Sequence, residues 1–289
     1  MGRCLALAVC LGAACVDEAQ ADPEAAPIVE APRPVEPEGA AELVGDPDAR
    51  EREILDLSRA DAVHSPVPGE WDDVLLQLPG SAGLGIDGVA AQSVPAGGTS
   101  VGTPQRGWLH NGIQLPFNPQ LYTRRDADRS WGSTHTIRTI VTAFQALRAE
   151  RGIAAEVIIG DISKPRGGAF PPHVSHQSGR DIDIQLVLAE GLDRRTFPGT
   201  PEHVDWDATW AMVHGFLETG HVAAVFLSWK QQEHLQRAAL RAGVHERVAQ
   251  RWFQWPGDDA EALIRHEDGH RAHVHIRLGC GSTDPHCRP

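Results

Sequence analysis

The chain has 289 residues, enough for one or two domains at roughly 100–200 residues each. It carries 39 acidic and 26 basic side chains, a formal net charge of −13, and 15 histidines against a single tyrosine. The absence of a basic stripe argues against nucleic-acid binding, and no apolar run reaches the roughly 20 residues of a spanning helix. The histidine excess points towards metal.

The first predicted element is an export signal over residues 1–21. Arg3 precedes the apolar run Cys4–Cys15, and Ala19-Gln20-Ala21 offers a small-x-small cleavage site before Asp22. Leu11-Gly12-Ala13-Ala14-Cys15 offers a competing site at which Cys15 would be lipidated, although its leucine lies one position too far upstream. The bland alternative is a buried N-terminal helix. Residues 22–75 are acidic and rich in Pro, Ala and Glu, too apolar-poor to offset the entropy of ordering, and are expected to form a disordered tether. A short helix over 50–63 is conceivable there. Residues 1–73 hold 17 acidic and five basic side chains, so the remainder is nearly neutral. The folded domain is assigned to 76–289.

Within that domain, residues 97–102 read as a loop containing a formal G-x-S-x-G at Gly98–Gly102. Pro95 and Pro104 flank it, which is the wrong context for a nucleophile elbow. A helix is predicted over 134–152, where Ile137, Ile140, Val141, Phe144 and Leu147 recur at helical spacing and Gly152 can cap. Strands follow at 156–162 and at 181–188, the latter alternating Ile182, Ile184 and Leu186 with Asp181, Asp183 and Gln185. Helices are expected over 206–219, 230–242 and 244–253, with a strand at 222–227. A last strand, 272–278, puts Val274, Ile276 and Leu278 towards the core and His273, His275 and Arg277 on the other face. The order lacks βαβ regularity, which implies an α+β domain with a small, mostly antiparallel sheet flanked by helices. Cys280 and Cys287 are the only cysteines after Cys15; their turn-rich spacing reads as a local disulfide.

The polar faces of the two alternating strands carry metal-competent groups. His176 precedes Asp183 by seven residues, with Gly179 allowing the chain to turn, and His273 and His275 share one face of the last strand. Two imidazoles and one carboxylate make a three-ligand catalytic zinc set with the fourth position left to water, and the remaining imidazole can act as base or hydrogen-bond donor. Spacing does not show that residues about a hundred positions apart meet, and a strand histidine is more often structural or solvated. His266-Glu267-Asp268-Gly269-His270 also matches the zincin pattern H-E-x-x-H. That motif needs one helix face, whereas Asp268-Gly269 is a turn dipeptide.

Two strings, His173-Val174-Ser175-His176-Gln177-Ser178-Gly179-Arg180-Asp181-Ile182-Asp183 and His270-Arg271-Ala272-His273-Val274-His275-Ile276-Arg277-Leu278, closely resemble the penicillin-insensitive murein endopeptidases. These belong to a wider group of zinc peptidases with lysostaphin-type enzymes, D-alanyl-D-alanine peptidases and the hedgehog domain. The likeness extends to Ile159–Ser163, Gly167-Gly168, Trp252-Phe253 and the Cys280/Cys287 spacing, and covers about residues 95–289; the family often carries further disulfides that this chain lacks. The resemblance implies a hedgehog/D,D-peptidase-like fold and one zinc ion per chain on His176, Asp183 and His275. It implies His273 as the catalytic histidine, with His270 and His173 as further active-site histidines. Asp181 is then an orienting neighbour. The implied activity is a periplasmic or envelope D,D-endopeptidase cutting peptide cross-links of peptidoglycan. The alternatives are a D,D-carboxypeptidase trimming terminal D-Ala, and a non-catalytic wall-binding module. Neither lysine, Lys164 or Lys230, lies three residues after a serine, so the S-x-x-K of serine-type penicillin-binding enzymes is absent.

Overall fold

A computed structural model describes residues 93–151 and 157–289. The expected signal segment, the tether, the helix at 50–63, Gly152 and Glu156 lie outside the described residues.

The described chain is α+β. It opens with an antiparallel hairpin of β1 (Thr99–Thr103) and β2 (Arg106–His110), closed by Pro104 and Gln105. This corrects the loop expected at 97–102. Thr and Ser suit a pleated strand, but glycines interrupt their alternation, and Pro104 sits in the turn, where its fixed φ costs nothing. Ser100 is no nucleophile: it is buried within β1, and its hydroxyl donates to the Ser178 carbonyl at 2.8 Å.

Two short strands, β3 (Ile113–Gln114) and β5 (Trp131–Gly132), pair with each other. The main sheet has six strands: β4 (Thr123–Arg124), β6 (Ile158–Ile159), β7 (Asp181–Gln185), β10 (His273–Leu278), β8 (Val222–Phe226) and β9 (Ile264–Arg265), in that spatial order. The four inner strands run antiparallel, whereas β4 on β6 and β9 on β8 are parallel. The sheet is therefore mixed, antiparallel in its three inner pairings and parallel at its two edges. Both outer strands are two residues long, too short to show any periodicity in sequence.

Four helices lie among the described residues: α1 (Thr134–Arg151), α2 (Trp206–Glu218), α3 (Trp229–Arg241) and α4 (Glu246–Trp252). The Asp205 carboxylate caps α2 by accepting from the Ala208 amide at 2.9 Å. Apolar stripes of α1 (Ile137, Ile140, Phe144), α2 (Trp210, Val213, Phe216) and α3 (Leu235, Ala238, Ala239) join Ile182, Ile184, Val274 and Ile276 in one buried cluster. Phe144 and Phe216 meet edge to face at 5.7 Å.

The pairing of β7 with β10 positions the candidate site. Val274 lies opposite Ile184 and Ile276 opposite Ile182, so the core fixes the register. The same register sets His275 opposite Asp183 and Arg277 opposite Asp181 on the other face. A slip by one residue would exchange the two faces and bury the polar row in the core, which locks the arrangement.

Candidate metal centre

Asp183 is wholly buried, and four imidazoles converge on its carboxylate. His176 Nε2 lies 3.3 Å from Oδ1, His275 Nδ1 3.5 Å and His273 Nε2 3.7 Å, while His173 Nδ1 lies 3.8 Å from Oδ2. The loop after β6 supplies His173 and His176, β7 supplies Asp183, and β10 supplies His273 and His275. His176 adopts a left-handed φ of 64°, unusual for a side chain with a Cβ. Its backbone amide donates to Asp181 Oδ2 at 2.8 Å, which helps to hold this conformation.

Surrounding groups fix which ring nitrogen carries the proton in three of these histidines. A carbonyl or carboxylate oxygen can only accept, so a ring nitrogen bonded to one must carry the proton. His176 Nδ1–H donates to the Ile162 carbonyl at 3.0 Å, leaving Nε2 turned to Asp183. His275 Nε2–H donates to Asp181 Oδ1 at 2.9 Å, leaving Nδ1 turned to Asp183. Arg277 Nε donates to the same Asp181 oxygen at 2.7 Å. His173 Nε2–H donates to Asp161 Oδ2 at 2.6 Å. Asp161 is itself gripped by Arg125 and by a two-pronged Arg129, through Nε at 2.9 Å and Nη2 at 2.7 Å. Phe170 stacks on His173 with centroids 5.4 Å apart, and the Arg129 guanidinium covers Phe170 at 4.1 Å.

Electrostatics follow from this packing. Burial alone would raise Asp183, but His176, His273 and His173 outweigh it and hold the carboxyl well below the usual range. Burial alone would lower His176, yet Asp183, with Asp181 and Asp161 behind it, raises it to about 9. His173 goes the other way: burial and neighbouring His176 bring it down to about 4 despite Asp161. His270 is also held well below the ordinary value by burial and by His273 and His275.

The donor set fits a cation. His176 Nε2 and both oxygens of Asp183 are buried without a hydrogen bond, an arrangement that is costly in a protein interior unless something positive satisfies it. Donor atoms of His173, His176 and Asp183 all fall within 4.8 Å of one another. The sequence-derived set was His176, Asp183 and His275, and His275 Nδ1 approaches the same Asp183 oxygen. Four of the five expected histidines thus have a ring nitrogen within 4 Å of the Asp183 carboxylate. The fifth, His270, lies one step out, its Nε2 3.5 Å from His275 Nδ1 and its Nδ1 bonded to the Asp268 carbonyl at 2.9 Å.

The zincin alternative finds no support here. Residues 266–270 follow β9 as a turn, with Gly269 at φ 77° and Glu267 exposed. The sequence offered no role for Asp161, Arg125 or Arg129, and placed Arg277 on the polar face of its strand without giving it one. Of the first three only Asp161 left a signal: it is a lone acid in the apolar stretch Val157–Ile162, and a charge buried there demands partners.

Residues 100–289 match the family model described as penicillin-insensitive murein endopeptidase. The chain is 29% identical over 215 residues to the penicillin-insensitive murein endopeptidase of Salmonella arizonae, covering 67% of this chain and 71% of that one. The protein of that name from Klebsiella pneumoniae (strain 342) is 29% identical over 207 residues, with 68% and 72% covered. The one from Escherichia coli O1:K1 / APEC is 27% identical over 219 residues, again with 68% and 72% covered.

Proposed function

The chain belongs to the penicillin-insensitive murein endopeptidase family, and on that premise we propose that it is an exported, zinc-dependent D,D-endopeptidase that hydrolyses peptide cross-links of peptidoglycan. The observation that carries the metal is the buried Asp183 carboxylate, unbonded and ringed by four imidazoles. His176 Nε2, Asp183 and His275 Nδ1 would hold the ion, in a hedgehog/D,D-peptidase-like frame. When bound, such an ion supplies Lewis acidity, polarising the scissile carbonyl and lowering the pKa of a water to roughly 7.

The chain's own residues do the rest. Asp181, steadied by Arg277, keeps the proton of His275 on Nε2 and so keeps Nδ1 available. His273, buried and 3.7 Å from Asp183, is the catalytic histidine, placed to donate a hydrogen bond to a developing oxyanion. His270 and His173 flank it, His270 with its ring 4.8 Å from that of His273. The close grouping of His173, His176 and Asp183 favours a second reading in which His173 takes the place of His275 as a ligand. Metal content decides between them: His275→Ala should lose the ion and His173→Ala retain it, whereas the opposite pair of results would establish the second reading.

The envelope is the fitting compartment. Cys280 and Cys287 form a disulfide, as expected of an oxidising environment. No helix among the described residues is long and apolar enough to cross a membrane. Residues 1–21 would direct export, with Cys15 as the alternative anchoring point, and 22–75 would tether the domain that follows.

The direct test is cleavage of purified cross-linked muropeptides, read by mass spectrometry. Chelation with EDTA should abolish release of uncross-linked products, and zinc should restore it; undiminished cleavage after thorough chelation would defeat the proposal.

Loading should also depend on pH. In the metal-free protein His176 holds its proton to about pH 9, so a ligand nitrogen must be deprotonated on binding. Apparent affinity is expected to rise about tenfold per pH unit from pH 7 towards pH 9 and then level off. Titration calorimetry in buffers of different ionisation enthalpy should count about one proton released at pH 7. The metal-free protein should behave oppositely in stability. A raised imidazole stabilises fully below its unfolded value near 6.5 and loses that contribution as pH climbs through 9.

A further inference from the structure

The outer face of the β1–β2 hairpin has chemistry that the metal centre does not use. Along β2, Gly107 and Leu109 are buried, while Arg106, Trp108 and His110 are exposed. Trp108 is 54% exposed, the most open aromatic side chain among the described residues. Its cross-strand partner is Val101, flanked by Thr99 and Thr103, all too short to cover an indole.

This lobe is also electrostatically distinct. Residues 93–125 and 162–180 contain neither Asp nor Glu, and Asp284, whose carboxylate accepts from the Ser100 amide of β1, is buried. The two acid-free segments are stitched together. Leu109 N donates to the Arg166 carbonyl at 2.9 Å, Gly168 N to the Gly107 carbonyl at 3.1 Å, and Gln177 N to the Pro104 carbonyl at 2.9 Å. Gly167 makes the approach possible: a Cβ there would sit 2.7 Å from Trp108 Cα and 2.2 Å from the Gln177 carbonyl oxygen. Arg106, Lys164 and Arg166 are all exposed on these segments. The loop that receives the hairpin continues into His173 and His176.

We propose that this face grips a strand of peptidoglycan, Trp108 stacking on a pyranose ring and Arg106 and Arg166 pairing with free carboxylates of the stem peptides. The inference rests on the murein substrate proposed above. The apolar C–H face of a sugar ring suits the electron-rich face of an indole, and guanidinium forks suit carboxylates. Holding the polymer raises the effective concentration of its cross-links at a site carried by the same loop.

The test is binding to isolated peptidoglycan sacculi, by co-sedimentation of the full chain in EDTA so that nothing is cut. Trp108→Ala should weaken binding about 2- to 10-fold, and Trp108→Phe should keep most of it. The double variant Arg106→Gln/Arg166→Gln should weaken it too and flatten its salt dependence, and it serves alone if Trp108→Ala does not fold. Wild-type protein that fails to sediment with sacculi, or variants that bind like wild type, would overturn the grip. Salt-sensitive binding indifferent to Trp108→Ala would overturn it as well, leaving only diffuse charge attraction. Cleavage of soluble muropeptides by the wild type is scored separately. An active enzyme whose binding ignores these variants loses the grip and keeps the proposed activity.

Discussion

Asp183→Asn should remove both metal and activity. The side chain is the point on which four histidines converge, and an amide supplies neither the charge nor both acceptor oxygens. If the ion contributes several kcal/mol of transition-state stabilisation, turnover of cross-linked muropeptides should fall by about 10³-fold or more. Elemental analysis should find the purified variant metal-poor. The same substitution should change the metal-free protein in a particular direction. His176 is charged near neutrality only because Asp183, Asp181 and Asp161 overcome its burial. Without the nearest of them, its proton should leave at lower pH, visible in the titration of its ring signals by NMR. A variant that retains full activity and a full complement of metal would exclude Asp183 as a ligand.

Asp161→Asn should produce the largest loss of stability. Asp161 is fully buried and neutralises Arg125, itself buried, and Arg129, while accepting the proton of His173. Removing the charge from one side of a buried ion cluster strands the other, a change that costs about 3–5 kcal/mol. For a domain of this size that corresponds to a fall in Tm of roughly 6–20 °C, measurable by calorimetry. An asparagine could also offer an N–H to His173 Nε2 and invite the other tautomer, turning the proton towards Asp183. At a temperature where the variant is folded, activity should therefore fall a further 10- to 100-fold. A variant as stable as wild type would show that the two arginines find other partners.

The sequence made some of this legible and concealed the rest for physical reasons. β7 and β10 were readable because Ile182, Ile184, Val274 and Ile276 alternate with polar residues, and alternation reports directly on a sheet with two different faces. The helices were readable from apolar stripes, their ends agreeing within a residue or two. The β1–β2 hairpin was not, because Gly102, Gly107 and two threonines leave little contrast between its faces. In the site, the histidines and Asp183 stood out because few other roles explain so many imidazoles in two short strings. That they converge depends on the register of β7 against β10, a long-range fact which alternation constrains but does not state. Of the arginines that steady the outer carboxylates, Arg125 and Arg129 come from the short segments after β4, where an arginine is ordinarily just solvated, and Arg277 comes from the polar face of β10.

Asp183 and His275 are separated by 91 intervening residues yet are direct neighbours across one pair of strands. No portion of the chain that stops short of its final strand can assemble the cluster. Until that last segment pairs, the Asp183 carboxylate therefore lacks two of the four imidazoles that surround it in the finished domain.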